Sequence, residues 1–131
     1  MGRRRPAAVE GSLTGLLSAD FREAHPDALA PIVEWRLAED ADPEAFAAQR
    51  AAIEGFDLVD RLHEVLPPAL VVVGADDTVC PRTAAETLAD GLPRGEQYVV
   101  AGARHLVGVE ASAAVNDRLA GWLATHASDP P

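Results

Sequence analysis

The stretch Pro68-Ala69-Leu70-Val71-Val72-Val73-Gly74-Ala75-Asp76-Asp77 decides the fold. The preceding pair Pro67-Pro68 marks a sharp boundary. Leu70, Val71, Val72 and Val73 form an unbroken apolar run, as expected of a parallel strand buried on both faces. Gly74 then opens a turn that delivers an acid. A second run, Tyr98-Val99-Val100-Ala101-Gly102-Ala103-Arg104-His105, has the same form and ends on a base. Between the two, Pro81 to Gly91 is patterned as a helix and stops at Gly91-Leu92-Pro93. The order is strand, acid loop, helix, strand, His loop. It places Asp77 and His105, 105 − 77 = 28 residues apart, at the carboxyl ends of neighbouring parallel strands. Open α/β sheets build their sites there.

The residue types give that pair its meaning. An acid that accepts a hydrogen bond from one imidazole nitrogen fixes the tautomer and leaves the other nitrogen free to take a proton. That is two thirds of a hydrolytic triad. The remaining third, a serine on a Gly-x-Ser-x-Gly elbow, belongs upstream of the acid in the order Ser, Asp, His. These 131 residues contain no such elbow. The nearest approach, Gly11-Ser12-Leu13-Thr14-Gly15, has Leu13 at its centre and follows no apolar strand. Ser12 and Thr14 stay open as weak nucleophile candidates. Cys80, on the acid loop, reads as a small packed residue, because a reactive thiolate needs an electropositive setting. Taken singly, Asp77 is ordinary turn chemistry and His105 an ordinary loop residue; their pairing is what argues for a site.

From about Asp20 to Leu123 the chain resembles the C-terminal portion of an α/β-hydrolase of the esterase and enol-lactonase type. The stretches that carry the resemblance are residues 68–81, Gly102-Ala103-Arg104-His105-Leu106, and Glu110-Ala111-Ser112-Ala113-Ala114-Val115-Asn116-Asp117-Arg118-Leu119. It implies that Asp77 corresponds to the triad acid, since the family pattern is Gly-x-x-Asp counted from Gly74, and that His105 corresponds to the base. Asp76 is set aside on the same pattern. The segment before Leu66 resembles the helical cap inserted ahead of the acid-bearing strand. The implied reaction is hydrolysis of a small ester or lactone by acyl transfer through serine. The implied fold is a partial α/β-hydrolase: a helical cap segment, two parallel strands and flanking helices.

Composition bounds the alternatives. Net charge is −10 and all eleven basic residues are Arg. So acidic a surface disfavours nucleic acid and anionic membranes as partners. No run reaches the roughly 18 apolar residues of a membrane span. The cluster Arg3-Arg4-Arg5 is followed by Glu10, Gly11, Ser12, Thr14 and Gly15 instead of an apolar core, so no secretory signal is read. Cys80 is the only cysteine, which points to a reducing, cytoplasmic setting. His25, His63 and His126 are scattered without zinc-site spacing, so neither a metal nor another cofactor is expected. A phosphate-accepting receiver needs a lysine that this chain lacks, and no phosphate-binding glycine loop is present.

The chain divides into four parts on this reading. Residues 1–20 are tail and loop. Residues 21–66 are a helical, cap-like segment, in which Asp42-Pro43-Glu44 is a strong helix start and Gly55 a helix end. Residues 67–126 are the C-terminal core half, and residues 127–131 are a tail. A strand at 70–73 with nothing upstream to pair with would offer an apolar edge to a second copy or to a partner. The chain on its own is expected to lack serine-dependent hydrolysis. Two further readings stand beside this one: a non-catalytic binding or assembly module, and one chain of a split hydrolase.

Overall fold

The computed structural model describes residues 6–38 and 42–127. Four helices come first: α1 (Pro6–Leu16), α2 (Ala19–Ala24), α3 (Pro26–Ala38) and α4 (Pro43–Glu54). A 3-10 helix, Val59–Glu64, leads into β1 (Ala69–Gly74). Then come α5 (Arg82–Gly91), β2 (Gly95–Val100), the short α6 (Val107–Glu110) and α7 (Ser112–His126). The architecture is α/β. Among the described residues the sheet has two strands, parallel and in register from Ala69 opposite Gly95 to Gly74 opposite Val100.

The N-terminal segment corrects the sequence reading. Residues 1–20 were expected to be tail and loop, yet Pro6–Leu16 is helical. Val9, Leu13 and Leu17 are the most buried side chains, each no more than 2% exposed. Their spacing of four residues puts them on one stripe of the helix, and α3 packs against α1. Gly11 and Gly15 cost about 1 kcal/mol each in a helix interior. Burying each leucine contributes about 1.5–3 kcal/mol, and that decides the conformation. Residues 1–5 and 128–131, the outer parts of both expected tails, lie outside the described residues.

The helix signals elsewhere act as their chemistry dictates. Asp42 caps α4, its Oδ1 accepting the Glu44 N–H at 2.8 Å, with Pro43 in the first turn and Gly55 at the C-terminal end. Pro31 sits inside α3, which begins at Pro26. The α5 helix packs on both strands and on the 3-10 helix, and Leu62 from that 3-10 helix is buried. On β2, the Glu96 carboxylate accepts from Arg118 Nη2 at 2.7 Å and from Trp122 Nε1 at 2.8 Å, anchoring α7.

The sheet is less covered than a buried parallel strand would be. Of β1 only Val73 and Gly74 are buried, and of β2 only Val100. The buried residues of the sheet thus cluster at the carboxyl ends of the strands, where the acid and His loops emerge. The other edge of β1 pairs with no strand among the described residues. Apolar side chains of the helical segment stand exposed as well, Trp35 and Ile53 by about two thirds or more.

Candidate active site

Gly74 ends β1, and the acid loop turns immediately, with the Asp77 N–H donating to the Gly74 carbonyl at 3.2 Å. The loop then holds its own acid. Asp77 Oδ1 accepts the N–H of Val79 at 2.8 Å and of Cys80 at 2.9 Å. Asp77 is the one buried charged residue among those described. Burial pushes its carboxyl pKa up. The Cys80 N–H, the His105 ring and the Val79 N–H outweigh that, so the pKa falls below the ordinary carboxylate value. A carboxylate held ionised in this way can only accept.

Its second oxygen faces the base. His105 Nδ1 lies 3.0 Å from Asp77 Oδ2. Since the carboxylate accepts, Nδ1 carries the hydrogen and donates, which in the neutral imidazole leaves the lone pair on Nε2. The His105 side chain is about one third exposed, at 32%, against 5% for Asp77. The carboxylate is thus buried while the imidazole stays partly open to solvent. Asp76, by contrast, is exposed.

The two loops are locked together through the backbone. The Asp76 N–H donates to the Ala103 carbonyl at 3.0 Å. Gly102 takes φ +71°, which turns the chain sharply after β2 and suits glycine. Glu110 accepts the Arg104 N–H at 2.7 Å and the Ser18 N–H at 2.9 Å.

The other candidates are not brought to the base. Ser12 Oγ donates to the Val9 carbonyl at 2.6 Å and Thr14 Oγ1 to the Gly11 carbonyl at 2.7 Å, both within α1. Cys80 is exposed. Among the described residues none of the three bonds to His105. Nor do three His, Cys, Asp or Glu side chains converge there to hold a metal. A cleft of about 330 Å³ lies between Phe21, His25, Gly102, Ala103 and Glu110. Neither Asp77 nor His105 lines it, so the dyad, and not this cleft, marks the candidate site.

No protein-family model matches the chain. Over 73 residues it is 37% identical to RutD of Agrobacterium fabrum, covering 56% of this chain and 28% of that protein. Over 71 residues it is 32% identical to proline iminopeptidase of Lactobacillus delbrueckii subsp. bulgaricus, covering 54% and 24%. Among solved structures, Est816, an N-acyl homoserine lactone degrading enzyme, superposes with a TM-score of 0.71 at 27% identity. That match covers 88% of this chain and 46% of Est816. The enol-lactonase of Burkholderia xenovorans LB400 gives a TM-score of 0.78 at 24% identity, covering 90% and 44%.

The chain is a C-terminal portion of the α/β-hydrolase fold. It spans less than half of these solved α/β-hydrolases and about a quarter of the two curated relatives it matches. By their names these proteins are a carbamate hydrolase, a proline iminopeptidase, an N-acyl homoserine lactone degrading enzyme and an enol-lactonase. Within this α/β-hydrolase portion, the site residue that sequence reasoning passed over is Glu110. It stands inside a matching stretch, but a carboxylate that bonds two backbone N–H groups leaves no spacing signature to read.

Proposed function

We propose that Asp77 and His105 are the acid and base of a serine-dependent ester or lactone hydrolase whose nucleophile lies on a segment outside these 131 residues. The carrying observation is the 3.0 Å contact between His105 Nδ1 and Asp77 Oδ2. It fixes the tautomer that leaves Nε2 as a proton acceptor. In the reaction, Nε2 removes the serine hydroxyl proton as the oxygen attacks the substrate carbonyl. The imidazolium so formed faces the Asp77 carboxylate, which stabilises it. His105 then returns the proton to the departing alkoxide; in a lactone that alkoxide stays tethered to the acyl group. A water deprotonated by the same Nε2 releases the acid and restores the serine.

The unpaired edge of β1 at Leu70, Val71, Val72 and Val73 is where we place the nucleophile-bearing strand. Its free backbone groups can accept a parallel neighbour, and the dyad sits at the carboxyl end of the same strand. Ester hydrolysis tests the reading. This chain alone should turn over p-nitrophenyl acetate no faster than its His105→Ala variant. Mixed with the part of Est816 that this chain does not match, it should gain turnover that Asp77→Asn and His105→Ala both abolish. Gained turnover that survives both substitutions would overturn the assignment. Robust turnover by the chain alone, lost in Ser12→Ala, would relocate the nucleophile to α1.

A further inference from the structure

The two peptide N–H groups that flank His105 are both held from outside its loop. The Arg104 N–H donates to Glu110 Oε1 at 2.7 Å, and the Leu106 N–H donates to the Leu16 carbonyl at 2.9 Å. The second oxygen of Glu110, Oε2, accepts the N–H of Ser18 at 2.9 Å. Arg104 adds a bond from Nη1 to the Thr14 carbonyl at 2.8 Å. The residues on either side of the base are thus tied to one short segment, 14–18, where α1 gives way to α2.

Glu110 is the centre of this arrangement. Hydrogen bonds from backbone N–H to a carboxylate are roughly twice as strong as neutral ones. Both of its oxygens accept from backbone donors. The acid and the base are therefore fixed in different ways. Asp77 is held by N–H groups of its own loop, whereas the backbone of His105 is held by a carboxylate and a carbonyl supplied from elsewhere. The tolerance is small, because a separation stretched from 3.0 Å to about 3.6 Å is no longer a hydrogen bond.

We infer that Glu110 is a positioning residue for the His105 base, clamping the His loop onto the α1–α2 junction so that the imidazole meets Asp77. The inference rests on the proposed role of the dyad. It also makes the helical segment a structural support of the proton-transfer group, so that the placement of α1 and α2 bears on the base directly.

The test uses the full chain labelled with ¹⁵N, reading the His105 tautomer from its ring nitrogen shifts and the exchange of single amides. The wild type should hold the Nδ1–H tautomer. Glu110→Ala should populate both tautomers and speed amide exchange at Arg104 and Ser18 by at least about tenfold. Glu110→Gln keeps one acceptor oxygen, so one of those two amides should stay protected and the other should not. Leu62→Ala, which removes a buried side chain far from the loop in sequence, should lower stability and leave the tautomer unchanged. Asp77→Asn separates the two readings. Should it leave the tautomer as in wild type, the dyad assignment fails. Should it shift the tautomer while Glu110→Ala changes no more than Leu62→Ala does, the positioning role is overturned. If Glu110→Ala does not fold, the Gln variant decides, and equal protection of both amides there would sink the inference.

Discussion

Gly74 and Ala103 meet backbone to backbone at the junction of the acid and His loops. A Cβ placed on Gly74 would lie 2.3 Å from the Ala103 carbonyl oxygen and 2.4 Å from that of Arg104. Neither contact involves a flexible side chain that could swing aside. Gly74→Ala must therefore push the His loop away from the end of β1. We expect a loss of about 1–3 kcal/mol, as for other overpacked sites, together with rupture of the contact between Asp77 and His105. A urea titration paired with the tautomer measurement checks both. A variant of unchanged stability and tautomer would show that the loops are not in contact in solution.

Acid should reveal the Asp77 environment. Its pKa is lowered in the folded state, with burial opposing and the Cys80, His105 and Val79 hydrogen bonds prevailing. The unfolded chain titrates this group near about 3.9. A depressed folded pKa gives stability that is fully present above the unfolded value and is lost as pH falls through the folded one. Wild-type stability should thus drop more steeply below about pH 4 than that of Asp77→Asn. Parallel denaturation curves between neutral and strongly acidic pH test the sign. Identical acid limbs for the two proteins would contradict it.

The N-terminal helix supplies a third test and a lesson in what the sequence shows. Leu13→Ala should cost about 2–5 kcal/mol, as expected of a fully buried leucine. Phe46→Ala, at a position 52% exposed on α4, should change stability by less than about 0.5 kcal/mol. Equal, small effects at both would return residues 6–17 to the status of a tail. The dyad was legible because Gly74-Ala75-Asp76-Asp77 and Gly102-Ala103-Arg104-His105 both follow apolar runs, and a run followed by a glycine turn is a local signal. The α1 helix was not, because Gly11, Ser12, Thr14 and Gly15 hide a stripe of Val9, Leu13 and Leu17 that only tertiary packing buries. Tertiary burial overrode weak propensity there. The incomplete covering of β1 was equally invisible, since an apolar run states what a strand can bury and not what lies over it.

The free edge of β1 makes the final prediction. Leu70, Val71 and Val72 are only part-buried, and their strand pairs on one side alone among the described residues. Unsatisfied backbone groups beside an apolar strand favour pairing with another chain. The net charge of −10 opposes this at low ionic strength, and salt screens that repulsion over about 10 Å at 0.1 M. Light scattering should therefore show association that rises with protein concentration and with salt. Leu70→Lys should reduce it. An edge lysine resists pairing, and here it would stand opposite Glu96 in the register, so the two strands of the chain itself would stay together. Addition of a nucleophile-bearing half should compete with self-association for the same edge and return the scattering to that of a one-to-one complex. A wild-type chain that remains a monomer at high concentration and high salt, and melts cooperatively, would show that this edge is closed. The proposed seat of the nucleophile strand would fall with it.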